Sequence, residues 1–295
     1  VTQIVSGTAA RQKRLRRAGL QAFLITMSAI WLLPLLWAVY TSFRPYGETA
    51  KYGYVSIAGS YNLDNYVNSF NQGELPKYFL NTVIILVPAV ILVLFLASMM
   101  AFTVSRYSWR FNLILLMVFS GANLLPPQVI ITPLFRMFLV IPMFAPLSDN
   151  GLLYDQYVGI TLIHVAFQMG FCTFVLSNYM KTIPKALNEA AVMDGASVWK
   201  TYWTIILPLT RPALAALATL QVTWIYNDFF WALILMKTGA KYPITSALNN
   251  LQGEFFTNNN LIAAGSILVA IPTLVVFFAL QKQFVSGLTL GSTKE

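Results

Sequence analysis

The stretch PKALNEAAVMDGASVWKTYWTIILPLTRP, Pro184 to Pro212, is a polar-to-amphipathic interruption between two very apolar segments. It reads as two short helices broken at a glycine. Ala186, Leu187, Ala190, Ala191 and Met193 give the first a small, apolar face, and small residues let another surface approach the backbone closely. Gly195 suits the left-handed conformation that ends a helix, and Ser197 is placed to cap the second helix. Trp199, Tyr202, Trp203 and Ile206 line that second helix. Pro208 is expected to stop it, because proline donates no hydrogen bond and crowds the preceding turn. Pro212 suits the first turn of the next helix. By composition alone this is an amphipathic connector lying on a membrane surface.

The chain around it is apolar. Of 295 residues, 57% are hydrophobic and 10% charged, where a soluble domain carries about 25% charged. This is an all-α integral membrane protein. One Cys and one His allow no internal disulfide and no zinc site without several carboxylates nearby. A net charge of +9 raises nucleic acid as a partner, but its distribution argues for membrane orientation instead.

Residues 1–18 are polar, with Arg11, Lys13, Arg14, Arg16 and Arg17, and read as a cytoplasmic anchor against anionic headgroups. Leu20 to Phe43 is too long for a signal-peptide core and lacks a clear cleavage site, so it is expected to remain as the first of six transmembrane helices. The others are expected near residues 79–105, 111–140, 157–180, 213–236 and 261–284, each long enough for a bilayer. Leu125-Pro126-Pro127 should break the third, a break tolerated only inside protein or beside a wet cavity. The six-span domain covers 19–285, with loops at 184–212 and 237–260, and 286–295 is a short tail. With both termini inside, the 19 Lys and Arg divide thirteen inside to six outside, as the positive-inside rule expects. Glu189 and Gly195 then face the cytoplasm.

An ion-coupled carrier holds ionisable groups at mid-membrane. Here they are few: His164, Asp228 and Arg136. Asn227-Asp228 is expected near the outer end of the fifth span, in water. His164 reads as a hydrogen-bonded packing residue and Cys172 as a small buried hydrophobe. No G-x-x-x-x-G-K-[ST] run is present, so the chain has no phosphate loop for ATP. Energy would reach it from another subunit through the long loop. A six-span secondary carrier or facilitator explains the bundle but not the loop's spacing. A membrane enzyme would need a nucleophile–base pair or a metal cluster, and a single His makes either hard to assemble.

That spacing carries a resemblance. Glu189-Ala190-Ala191, three residues, Gly195, nine residues, then Ile205-x-Leu207-Pro208 resembles the EAA loop of ABC importer permeases, and Asp194-Gly195-Ala196-Ser197 looks like their carbohydrate-uptake branch. Most of the chain, roughly 15–295, resembles the MalG-like permeases. The resemblance implies a MalG/MetI-like bundle in a bacterial or archaeal cell membrane, with Glu189, Ala190, Ala191, Asp194, Gly195, Ile205, Leu207 and Pro208 coupling to an ATPase. It implies a second permease of similar fold, two ATPase subunits that bind ATP and magnesium in place of this chain, an extracytoplasmic sugar-binding protein, and a sugar or oligosaccharide substrate. Thr223 to Trp231 looks like the family's aromatic-Asn-acidic stretch, with Tyr226 where Trp is usual. Trp224, Tyr226, Asn227 and Asp228 offer the aromatic faces and polar groups that sugar contacts need. Gly253, Glu254, Phe255, Phe256 and Asn258 lie in the loop that by resemblance reaches the binding protein; by themselves they read equally as a solvated turn. The tail from Gly287 to Lys294 is similar to one that reaches the ATPase interface.

Overall fold

A computed structural model describes residues 2–122, 126–251 and 257–289. These are helical throughout, apart from turns and one isolated bridge between Pro142 and Leu152. They fall into two compact units, residues Val1–Gly73 with Leu251–Leu268, and Glu74–Asn250 with Val269–Glu295.

In the first unit, α1 (Thr2–Ser42) runs unbroken through the basic stretch and on through the apolar one. The anchor is therefore the first turns of the spanning helix itself, and Pro34 lies inside α1 without ending it. Leu24, Trp31 and Leu35 stand exposed. Two short helices come next, α2 (Tyr46–Tyr52) and α3 (Asp64–Gln72). Buried amides tie them to the end of α1. Asn65 donates to the carbonyls of Ser42 (2.9 Å) and Arg44 (2.7 Å). The wholly buried Asn260 donates towards the carbonyls of Thr41 and Arg44 and the hydroxyl of Thr49. Arg44, also buried, is held by the Gly53 and Tyr54 carbonyls and the Ser56 hydroxyl. Buried polar groups demand partners, so these residues fix the region beyond α1 without a large apolar core.

The second unit is built on α4 (Leu75–Arg106) and α7 (Tyr157–Thr182). Ala89, Val93, Ala97 and Ala101 recur at four-residue steps along α4, all with no exposure, so they line one face. Small side chains let helices in lipid come close, where packing replaces the hydrophobic effect. Cys172, Leu176 and Met180 of α7 fill the same core. Arg106, at the end of α4, donates to the carbonyls of Met180 (2.9 Å) and Ile183 (3.0 Å), closing the C-terminus of α7 with a cation.

Length and composition mark four spanning helices among the described residues, Arg11–Ser42, Leu75–Arg106, Tyr157–Thr182 and Asn259–Ala279, plus one bent pair. These four match the expected first, second, fourth and sixth spans. The third is not one helix. It divides into α5 (Asn112–Ala122), a 3-10 turn from Pro127 to Ile130, and α6 (Ile131–Phe138). Leu125 lies outside the described residues; Pro126 is extended, with ψ 128°, as a residue preceding proline must be.

The remaining elements carry the motifs. These are α8 (Lys185–Met193), α9 (Val198–Thr201), a π-helical segment Tyr202–Ile206, α10 (Leu207–Leu209), α11 (Arg211–Tyr226), α12 (Phe230–Leu235), α13 (Ile244–Ala247) and α14 (Asn259–Thr289). The run Val198–Leu209 meets α11 at 72°. The expected fifth span therefore starts at a bend and is interrupted again at 227–229. Asn259 and Asn260, expected in a loop tip, instead open α14, and Ser286 to Thr289, expected in the tail, continue it.

Candidate coupling surface and translocation residues

The loop after α7 folds as its residues direct. Ile183, before Pro184, is extended, which ends α7. At the far end of α8 the Gly195 amide donates to the Val192 carbonyl (3.0 Å) and the Ala196 amide to the Ala191 carbonyl (2.9 Å), with Gly195 at φ +74°. This pair of bonds around a left-handed glycine is a Schellman closure. Ser197 then accepts from the Lys200 amide at 3.2 Å and starts α9.

Pro208 does not stop the second helix. The Leu207 amide reaches back five residues to the Tyr202 carbonyl, so the chain enters the proline through a widened turn. The proline has no amide to lose, and the helix runs on to Leu209. Thr210 carries the bend, and Pro212 lies in the first turn of α11 as expected.

The motif residues divide between two surfaces. Glu189, Ala190 and Asp194 are exposed, as are Leu187, Val192, Trp199 and Met193, the last at 86%. Glu189 makes no ion pair among the described residues. Ala191 is buried, while Ile205, Leu207 and Pro208 are half-buried, the first two against the α4–α7 core. Behind them the Tyr202 hydroxyl lies 2.7 Å from that of Ser98. One half of the motif anchors the loop on the bundle, and the other half is presented outward.

The translocation residues also separate. Trp224 is exposed, its ring 5.3 Å from Phe171. Tyr226 turns inward: its hydroxyl donates to the Val269 carbonyl at 2.8 Å, and its ring lines an apolar cavity of about 100 Å³ with Phe79, Leu86 and Pro272. Its hydroxyl is thus committed to a backbone carbonyl and its ring to apolar neighbours. Asn227 is exposed and donates to the Thr223 carbonyl.

Asp228 lies at a helix end but not in water. Its side chain is 11% exposed, with Oδ2 3.6 Å from His164 Nε2 on α7. Its Oδ1 accepts from the Trp231 amide at 3.3 Å, and its carbonyl accepts from the Thr245 hydroxyl. Asp228 lies between Asn227, which closes α11, and Phe229, which opens α12. His164 is buried on α7 as a packing residue would be, and its Nε2 faces Asp228 Oδ2 just beyond hydrogen-bond distance. Cys172 is buried as expected, 3.2 Å from Gln221 Nε2. The cue missed in the sequence was Asn-Asp ahead of Phe-Phe-Trp, a helix-start signal inside an apolar run.

Gly253, Glu254, Phe255 and Phe256 lie outside the described residues, as does the end of the tail, 290–295. Asn258 caps α14, its Oδ1 accepting from the amides of Asn260 and Leu261. A second polar site, between the loop before α7 and the loop after α12, was not read from the sequence. Asp155 on one loop accepts from the Lys237 and Thr238 amides and the Thr238 hydroxyl on the other. Burial pushes this carboxyl up, but those bonds and the charge of Lys241 outweigh it and hold the group below the usual carboxylate range.

The described residues thus form apolar helices long enough to cross a membrane, with a Schellman-closed helix displayed beside them, as befits a membrane component. Residues 93–289 match the family described as binding-protein-dependent transport system inner membrane component, and the chain belongs to it. It is 30% identical over 260 residues to a probable ABC transporter permease of Pyrococcus horikoshii, covering 88% of this chain and 91% of the relative. It is 29% identical to a diacetylchitobiose uptake system permease of Streptomyces coelicolor, covering 92% and 87%. The fold is that of a chain in a bacterial ABC transporter that imports the acidic polysaccharide alginate, with TM-score 0.77, 21% identity and coverage of 93% and 98%.

Proposed function

We propose that this chain is one permease of an ATP-driven importer for a sugar or oligosaccharide, working beside a second permease of similar fold. Family membership supports the importer, and the diacetylchitobiose relative supports the sugar. The observation that carries the energetic part is the outward half of the loop: Glu189, Ala190 and Asp194 stand exposed on a helix rigidly closed at Gly195. An exposed carboxylate with no ion pair among the described residues, and the exposed apolar residues beside it, suit a cleft with a basic residue on an ATPase subunit. Two such subunits would bind ATP and magnesium and carry out hydrolysis. Closure of the ATPase pair would push α8, and the spans would turn to face the other side. The same reading puts both termini in the cytoplasm of a bacterial or archaeal cell, and residues 253–260 against an extracytoplasmic sugar-binding protein.

Co-purification tests it. Solubilised with its partner permease, the wild-type chain should retain the ATPase, and Glu189→Lys should lose it, because the substitution sets like charges together. Retention by the variant, or no ATPase on the wild type, contradicts the reading. Solute movement down its gradient through this chain alone would support a facilitator instead.

A further inference from the structure

The loop between α2 and α3 is apolar, exposed and tightly held. Residues 53–63 carry no charge. Val55 and Ile57 are 87% and 91% exposed, and Tyr61 and Leu63 are exposed as well. Apolar side chains exposed together mark a contact surface, whereas scattered ones do not. The backbone of the loop is answered from within its own unit. The Arg44 guanidinium donates to the Gly53 and Tyr54 carbonyls at 3.3 and 3.2 Å. The Tyr40 hydroxyl donates to the Ser56 carbonyl at 2.8 Å and accepts from the Ala58 amide at 2.9 Å. Glu48 accepts from the Gly59 amide, and the Phe43 carbonyl from the Asn62 amide. A loop satisfied in this way does not depend on water for its polar backbone, which suits irregular chain beside lipid.

The hold on Tyr40 sets the depth. The helix α1 is unbroken from Leu20 to Tyr40, and at about 1.5 Å per residue that stretch is about 30 Å long, the thickness of the bilayer hydrocarbon. Tyr40 thus reaches the headgroup boundary, where Tyr and Trp gather. Its ring lies 5.4 Å from that of Trp37 and 6.2 Å from that of Tyr61. Leu35, Leu36 and Trp37 are exposed on α1, so the loop continues an apolar surface that a spanning helix turns to lipid. We propose that residues 53–63 are an interfacial anchor. Val55 and Ile57 enter the boundary between headgroups and acyl chains, at the end of α1 far from its basic turns, and Tyr61 lies at headgroup level. Because the loop carries no charge, it does not select headgroups by charge, unlike the basic turns at 11–17, which favour anionic lipid.

The test uses the full chain reconstituted in liposomes with its partner subunits. An environment-sensitive fluorophore is placed on Ile57→Cys; the native Cys172 is buried, and the unsubstituted complex gives the background. The quenchers are iodide in the water and lipids spin-labelled near the headgroup end of the acyl chain. The emission should be blue-shifted and quenched several-fold more by the spin-labelled lipid than by iodide, equally in neutral and anionic vesicles. Val55→Cys repeats the measurement if Ile57→Cys fails to assemble. Strong iodide quenching with none from the lipid puts the loop in water and overturns the anchor. Shielding from both quenchers puts a protein surface over the loop and overturns it too, whether that cover is a partner permease or arrives only with an added binding protein. The readout does not depend on transport, so its failure leaves the importer reading in place.

Discussion

Gly195 shows what one backbone angle contributes. A Cβ there would meet nothing within 4 Å, so the requirement is conformational, not steric. A β-branched residue at φ +74° costs on the order of 1–2 kcal/mol, whereas Asn tolerates that region. Gly195→Val should therefore reduce ATPase retention in pull-downs, and Gly195→Asn should keep most of it. Equal behaviour of the two would remove the backbone-angle argument. Asp155 carries a pH signature. Its folded pKa is depressed, so its stabilisation is fully present above the ordinary Asp value of about 3.9 and is lost as pH falls through the lower folded value. Asp155 is at φ 62°, which Asn accepts, so Asp155→Asn isolates the charge. The variant should be less stable by about 1–3 kcal/mol at pH 7, with the gap narrowing under acid, read as apparent melting temperature in detergent. A gap independent of pH would contradict this. The left-handed glycine was legible because its spacing from Glu189 was read with it. The bonds of Asp155 join residues more than eighty positions apart, and no local pattern records them.

At the scale of elements, long apolar runs announced four helices because length alone separates a spanning helix from a buried one. What the runs concealed were their interruptions. The fifth is interrupted between Asn227 and Phe229, around Asp228, and the π-helical turn at Tyr202–Ile206 carries the chain through Pro208. Both are local backbone features, which hydropathy does not register. Partner choice was equally hidden. The α4 stripe of Ala89, Val93, Ala97 and Ala101 was visible as apolar sequence, but its contact with α7 was not. Ala97 has no exposure, so Ala97→Leu should overpack this face and cost about 1–3 kcal/mol. Thermal unfolding of the purified complex checks it, and an unchanged transition would mean the helices are not closely apposed there.

For the whole molecule, the orientation and the loop are read from different residues. The distribution of basic residues predicts 184–212 on the inner side, and the loop's fold presents Glu189 and Ala190 away from the bundle. The division of the motif into an anchored half and a displayed half was not legible in the sequence, because a spacing pattern does not say which residues face the bundle. The most direct measurement is a cross-link. The chain has one cysteine, Cys172, and it is buried, so Ala190→Cys adds a single exposed thiol on α8. Oxidative cross-linking against single-cysteine ATPase variants, with and without ATP, asks whether α8 occupies the ATPase cleft. The account predicts a permease–ATPase adduct whose preferred partner position changes when ATP binds. An assembled complex that forms no adduct at any ATPase position, or a thiol labelled only from outside the cell, would contradict it.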